Sequence, residues 1–595
     1  MKKFLKQVLA TVVGISLWFL LAIVICIVSV ICMSIGDSST TAVKNGSVMR
    51  ITLNGVLSER SQEADVMSLL MGGNTEGLGL DQLLAGIDAA AKNDKVEGIY
   101  LEVGAFDGGT PAMLQELRQA LLKYKQDSGK WIIAYGDIYT QGAYYLCSVA
   151  DKVMLNPEGM VDWHGLASQP MFYTDLLKKV GVKFQVFKVG KFKSAVEPYI
   201  ATEMSEPNRQ QVTSFLSSIW EQMVEEVGES RSLTAEQLNL MADTFITMQP
   251  SQMLVDYHMV DTLTYIDGVR TFLRNRLNLE EGKSIRFVSP ADVVADADTD
   301  SHDDKIAVFY ASGEIVQQVA NSIASSEENI VQDEVVRELR KLRENEDIKA
   351  VVMRVNSPGG SAFASEQIWR ELQLLKEQKP VVVSMGGMAA SGGYYISCGA
   401  SKIFAEPTTL TGSIGIFGLI PDASELLTEK LELHFDVVAT NRHSDFGAMG
   451  RPFNAEEAAL MQAYVERGYD LFTRRVAEGR GLPQDSVDAI GQGRVWTGEQ
   501  AIQLGLVDQL GNLEDALAEA AKLANLTEYE RVNYPEQISW IDRMMQDKPE
   551  SYFDARLHEA LGNLYPMVST LQMLQYQRVP QQCVFTRLPF ELNIR

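Results

Sequence analysis

Three polar side chains stand out in this chain of 595 residues because each sits in or beside a glycine-containing segment. Ser391 lies in Ala389-Ala390-Ser391-Gly392-Gly393, between the apolar run Val381-Val382-Val383 and a helical stretch from Tyr394. A serine at such a turn presents its hydroxyl at a helix N-terminus. There the Gly392 amide and the helix dipole can stabilise an oxyanion. Gly359-Gly360, at the end of a neighbouring strand, offers a second donor through the Gly360 amide. Glycine in both places lets a substrate backbone approach closely. The string is not the GxSxG elbow, because Ala389 stands where the first glycine belongs. Taken alone it is equally the sequence of a plain tight turn.

A serine nucleophile needs a base. No histidine has an evident claim. His164 follows Trp163, His258 falls in a packing segment, and His434 and His443 lie on or after a strand. His302 sits in an acidic stretch and His558 in the tail. Lysine is the other possibility. Lys193, in Val189-Gly190-Lys191-Phe192-Lys193-Ser194, follows a strand and reads in isolation as a surface lysine. To act as a base it must be neutral, which takes desolvation or nearby cations. Lys188 and Lys191 are close enough in sequence to contribute. Ser413, in Thr411-Gly412-Ser413-Ile414-Gly415, could hydrogen-bond and orient the amine, or simply shape a turn.

The elements that must position these groups occur twice. Residues 98–110 and 350–361 are both an apolar strand running into a Gly-Gly turn, about 250 residues apart. Residues 131–157 match 381–407, with Tyr144-Tyr145 facing Tyr394-Tyr395 and Pro157 facing Pro407. Val260-Asp261 later faces Val507-Asp508. In each copy, strands alternate with helical stretches such as Met113, Leu117, Leu121 and Ile368, Leu372, Leu375. That alternation predicts βαβ units and a largely parallel sheet, with ligands at the carboxyl ends of its strands. The copies differ where chemistry would occur. Gln141 replaces Ser391, Trp163 replaces Ser413, and Lys193 has its counterpart near Ser444. One copy has the lysine and the other the serine, as expected of a dyad divided between them.

Composition narrows the class. With 53 Lys+Arg against 78 Asp+Glu the net charge is −25, against a general nucleic-acid binder. A mean hydropathy of −0.05 excludes many membrane spans but not one. Residues 7–36 carry no charge, follow Lys2, Lys3 and Lys6, and exceed the roughly 30 Å hydrocarbon core at about 1.5 Å per residue. The run is too long for a cleaved signal peptide and lacks an A-x-A site. It predicts an uncleaved anchor with the remainder on the far side of the membrane. Five cysteines exclude a disulfide scaffold, and Cys147, Cys398 and Cys583 read as free thiols. Residues 291–304, with six Asp, read as a solvated linker. Their spacing lacks the glycine and terminal glutamate of a calcium loop. No zinc signature or phosphate-binding loop is present, so no cofactor or metal is expected.

The strings at 189–198, 354–361, 384–397, 409–418 and 495–508 resemble the signal peptide peptidase A family, long form. These are serine peptidases of the Clp protease/crotonase fold. The resemblance implies an α/β chain of tandem Clp protease/crotonase-like units after a transmembrane helix. Its parts would be an anchor with flanks over 1–45, a unit over 46–290, a linker over 291–304, a unit over 305–530, and a tail over 531–595. It implies Ser391 as nucleophile, Lys193 as general base and Ser413 as the group that positions the lysine. Gly360 and Gly392 would supply the oxyanion-hole amides. It further implies cleavage of remnant signal peptides and other apolar peptides, and a homotetramer. The location would be a bacterial inner membrane, with the catalytic part on the extracytoplasmic side. Three other readings remain at this point: a broader quality-control protease, a crotonase-type acyl-CoA enzyme, and an inactive membrane scaffold.

Overall fold

The computed structural model describes residues 18, 41–61, 78–280, 282–297, 302–318, 329–536 and 584–587. The apolar run 7–36, apart from Trp18, and most of the tail lie outside the described residues. Among the described residues no helix is long and apolar enough to cross a membrane.

The first half is built on β1 (Ser47–Ser58), β2 (Val96–Gly108), β3 (Trp131–Tyr139) and β4 (Lys152–Val161). They lie side by side in that order, every pairing parallel. Parallel neighbours need crossovers. Helices α1 (Leu80–Lys92), α2 (Pro111–Ser128) and α3 (Gln141–Cys147) provide them. The ends of α2 are written in its sequence. The Thr110 side chain accepts from the Met113 amide, Pro111 opens the first turn, and Gly129 closes the helix in the left-handed conformation. Beyond β4, the chain forms β5 (Lys183–Val189), the long α4 (Glu206–Arg231) and α5 (Pro290–Asp296).

The second half repeats the plan with β6 (Lys305–Ser312), β7 (Ile348–Ser357), the short β8 (Gly359–Ser361), α6 (Ala362–Lys376), β9 (Val381–Ala390), α7 (Gly392–Ser397) and β10 (Lys402–Ala405). It continues through β11 (Leu410–Gly412), β12 (Ile416–Asp422), α8 (Ala455–Arg480), β13 (Val495–Thr497) and β14 (Glu530–Tyr534). The sheet order is β13-β11-β9-β7-β6-β14, parallel except where β13 meets β11. The repeat extends to single hydrogen bonds. Tyr144 donates to the Met259 carbonyl and Tyr394 to the Leu506 carbonyl, each at 2.9 Å. Arg231 pairs with Asp261 as Arg480 pairs with Asp508.

The halves are joined by buried charge. Arg354 on β7 reaches Glu59 at 2.8 Å and Glu116 at 2.5 Å, with all three side chains buried. Removing Arg354 would leave two buried carboxylates without their partner in a low dielectric, a cost on the order of 3–5 kcal/mol. The apolar core of the first half also takes in Met388, Ala390, Leu410 and Val495 from the second. The end of β9 is therefore packed by both copies.

Three segments differ from the sequence reading. The acidic stretch is not linker throughout. Residues 290–296 form α5, with a capping box between Ser289 and Asp292, a fully buried Val293, and Lys95 paired to Asp296 at 2.8 Å. Residues 435–438, the counterpart of β5, form no strand and lie exposed. The chain past 530 is not featureless: β14 runs parallel to β6 through Tyr534 opposite Phe309.

Candidate active site

β9 is buried along its whole length and delivers Ser391 at its carboxyl end. Ala389 pairs with Thr411 and Ala390 with Gly412, so the turns after β9 and β11 emerge together. The Ser391 amide donates to the Gly412 carbonyl at 2.8 Å. Ser391 has φ +55° and ψ −113°, and Ser413 has φ +49°. Two non-glycine residues at positive φ in adjacent turns mark stored backbone strain, which persists only where the surroundings over-determine it.

Lys193 reaches this site from the other copy. β5 pairs antiparallel with β12, from Lys183 opposite Asp422 to Val189 opposite Ile416. That register carries the 190–194 loop back beside residues 412–415. Gly493, at φ +78°, lies against the lysine: a Cβ there would stand 2.7 Å from the Lys193 nitrogen and 2.8 Å from its Cβ. Lys193 Nζ lies 2.7 Å from Ser391 Oγ, 3.1 Å from Ser413 Oγ and 3.2 Å from the Ser413 carbonyl oxygen. All three side chains are buried.

Burial lowers the Lys193 amine to about 7, with desolvation as the cause. The neighbouring cations expected to help are not needed. Lys191 is exposed, and Lys188 turns its amine toward the Lys193 carbonyl. A neutral amine has two N–H donors and one lone pair. Three contacts fit that inventory: two N–H groups for Ser413 and a lone pair for the Ser391 hydroxyl. The arrangement can take a proton from Ser391 at neutral pH. Gly360 lies at the end of the neighbouring β7–β8 turn, pressed against Ile315, where a Cβ would stand 2.1 Å from the Ile315 oxygen. Gly392 opens α7 directly after Ser391.

The other candidates lie apart. None of the hydrogen bonds made by Ser391 involves a histidine. His164 sits 2.7 Å from Asp162 in the first copy, half exposed. His443 faces Glu456 on the exposed 435–453 segment. In the first copy the equivalent site is filled. The Gln141 side chain accepts from the His164 and Gly165 amides at 3.1 Å. Trp163 packs edge-on to Tyr144 and against Trp220. An indole where the second copy has Ser413 leaves no room for an amine.

Gln211 is a site residue that the sequence reading missed. It is buried on α4. Its amide nitrogen donates to the Phe192 carbonyl at 3.0 Å and to Ser194 Oγ at 3.1 Å, the two neighbours of Lys193. Its oxygen accepts from the Val495 amide on β13, which pairs with β11. One side chain thus ties the lysine loop to the strand that leads into Ser413. A glutamine on an amphipathic helix carries no sequence signal for this role. Gln211→Leu is expected to lower kcat about 10- to 100-fold with KM within about twofold, since small misplacements are costly in catalysis. The acidic limb of the pH profile should move upward as the lysine loop loosens and water reaches the amine. A pH–rate series on peptide hydrolysis checks it. An unmoved profile means the role is structural only.

Known proteins match segments in both halves of the chain. Peptidase family S49 matches residues 124–280 and 373–527, and Clp protease matches residues 308–410. Protease 4 of Salmonella typhi is 35% identical over 549 residues, covering 90% of this chain and 87% of its own length. Protease 4 of Haemophilus influenzae is 35% identical over 529 residues, covering 85% and 83%. The chloroplastic serine protease SPPA of Arabidopsis thaliana is 31% identical over 491 residues, covering 81% and 70%. A Clp protease-like α/β unit present twice, with matches of this length on both copies, has one reading: the chain is a serine peptidase and belongs to peptidase family S49.

Proposed function

We propose that this chain is a membrane-anchored endopeptidase that degrades cleaved signal peptides and other apolar peptides by a Ser/Lys dyad. Neutral Lys193 takes the Ser391 proton as Oγ attacks the scissile carbonyl. The Gly360 and Gly392 amides hold the oxyanion, and Ser413 keeps the amine aimed. Protonated Lys193 then gives its proton to the leaving amine as the C–N bond breaks. Water attacks the resulting ester, Lys193 receives its proton, and that proton returns to Ser391. The observation that carries this reading is the 2.7 Å contact between a buried serine and a buried lysine whose amine burial holds near 7. A serine-directed fluorophosphonate is expected to label Ser391 stoichiometrically, with fluoride leaving. Labelling should vanish in Lys193→Met. An unlabelled Ser391 in the unmodified chain overturns the dyad and revives an acyl-CoA type of chemistry.

The uncharged run 7–36 after three lysines supports an anchor in a bacterial inner membrane, with the catalytic halves on the extracytoplasmic side. That places the site beside signal peptides left after secretion. A head-to-tail homotetramer is proposed on a different observation. β5 of the first copy pairs with β12, whereas its counterpart in the second is unpaired and apolar: Leu433, Phe435 and Val437 are about half exposed and Val438 is 98% exposed. A second copy of the chain would cover it by the same pairing.

A further inference from the structure

Each copy lays one helix across the face of its sheet that points away from the main core, and the two helices carry opposite charge. They are Ile266–Arg276 in the first copy and Leu513–Leu523 in the second, each 11 residues long. Each follows its copy of the matched Val-Asp pair. Their buried sides are alike. Val269 and Leu273 pack with Val48, Tyr100 and Ile133, as Leu513 and Leu517 pack with Ile306 and Val308. Their outward sides are not alike. The second helix carries Glu514, Asp515 and Glu519 against Lys522, whereas the first carries Arg270, Arg274 and Arg276 against Asp267. Apolar residues alone make the packed side, so packing does not account for the reversal.

Neighbouring cations extend the basic side. Arg276 lies over the Trp131 ring at 5.7 Å, Lys152 over Phe272 at 5.3 Å and Arg50 over Phe287 at 5.2 Å. Arg50 also pairs with Glu102, and Lys283 with Glu280. Arg270, Arg276 and Arg286 are exposed and form no ion pair among the described residues. Cations gathered in this way repel one another unless an anionic partner meets them. Their local excess stands out in a chain of net charge −25.

This face also lies where the chain arrives from the uncharged run. The Thr41 amide donates to the Asp292 carboxylate at 2.6 Å, and Arg286 donates to the Asn45 carbonyl. Arg286–Val288 pairs with Ser47–Met49 at the start of β1. Val48 in that stretch packs with the basic helix. The run ends at Gly36, and the chain from there to Thr41 can span at most about 18 Å. A bilayer holding the run is therefore within reach of these arginines. Each basic residue brought against anionic headgroups favours contact roughly fivefold.

We propose that the basic face made by residues 266–288 with Arg50 and Lys152 docks on the anionic headgroups of the bilayer that holds the anchor. This rests on the anchor reading above. The tether keeps headgroups close, so contacts that are weak singly suffice together. The acidic helix of the second copy is repelled by the same surface. Docking thus selects one orientation of the chain over the membrane.

Arginine footprinting of the full chain in lipid nanodiscs tests this. Phenylglyoxal modifies accessible guanidinium groups, and mass spectrometry reads each site. Labelling of Arg270, Arg276 and Arg286 is expected to fall roughly fivefold in discs with about 40% phosphatidylglycerol, relative to pure phosphatidylcholine. Salt at about 1 M should restore it by screening. Arg467, exposed in the second copy, should label alike in both discs. Equal labelling of the three arginines in the two discs, or an equal loss at Arg467, overturns the proposal. The double variant Arg270→Glu, Arg276→Glu changes two exposed positions and separates docking from mere nearness. In it, Arg286 should label alike in both discs. If Arg286 stays shielded, the anchor alone brings it there and the docking face is overturned. A chain that does not stay with phosphatidylcholine discs in about 1 M salt has no anchor, because screening leaves apolar insertion intact. The anchor reading then fails, and the docking face survives only if added phosphatidylglycerol vesicles still shield the three arginines.

Discussion

Ser391→Ala and Lys193→Met are each expected to lower kcat/KM for peptide hydrolysis by roughly 10³-fold or more, and the double variant no further. The two groups act in one step, so losing either removes the whole unit, and such losses are non-additive. Ser391→Ala removes the attacking oxygen. Lys193→Met keeps nearly the same volume in the buried site but removes the lone pair that accepts the proton. The unmodified chain adds a pH signature. Burial holds the amine near 7, so below that value Lys193 is protonated and has no lone pair to offer. Activity should therefore rise with pH through about 7 and remain high above it until another group titrates. Steady-state rates from pH 5 to 9 decide the matter. A pH-independent rate, or a double variant far below both singles, shows that serine and lysine do not act together.

Much of this site is legible in the sequence, because the chain contains its own comparison. Gln141 facing Ser391 and Trp163 facing Ser413 point to the second copy as the home of the hydroxyls. Lys193 opposite the Ser444 region points to the first as the home of the amine. What joins them was not legible. β5 leaves its own half and pairs with β12, more than two hundred residues away. Period-two patterning reports that a segment is a strand, and says nothing about which remote edge receives it. Gln211 and Gly493 act through the same long-range meeting, so neither has a local signature. The strand at 584–587 is four residues in a region without repeats, and both strands it pairs with are remote in the chain.

The acidic stretch was misread for a different reason. Ser289, Pro290 and Asp292 spell a capped helix start, and Val293 and Val294 supply an apolar face. Six aspartates outweighed those signals in a reading based on composition. The structure uses at least three of them: Asp292 closes the capping box, Asp296 pairs with Lys95 and Asn93, and Asp304 pairs with Lys349. Charge in a short segment is therefore poor ground for assigning a linker when a cap and two buried-type residues sit beside it. The roles of Lys188 and Lys191 were overestimated similarly. Proximity in sequence suggested a cation cluster, but alternation along β5 and the loop turns both amines away from Lys193 Nζ.

Lys193→Met is also expected to stabilise the fold at neutral pH, and the sign of that effect should depend on pH. The amine titrates near 7 in the folded chain against an ordinary value of 10.5. Between those values the unfolded chain binds more protons than the folded one, so stability rises with pH across that window. The penalty is full below about 7, where it amounts to on the order of 5 kcal/mol, and it is gone above about 10.5. Methionine carries no such penalty. It does leave the Ser391 and Ser413 hydroxyls without the amine, which costs about 1–3 kcal/mol at any pH. The balance favours the variant at pH 6.5 and turns against it near pH 10. Urea midpoints at the two pH values, read on unmodified and variant chains, should move in opposite directions. A shift of the same sign and size at both would mean that Lys193 is not held neutral by burial, and the amine could not serve as the base. A catalytic lysine kept uncharged in a buried site is thus expected to be a measurable burden on the fold, tolerated because the same desolvation that destabilises the chain makes the lone pair available to Ser391.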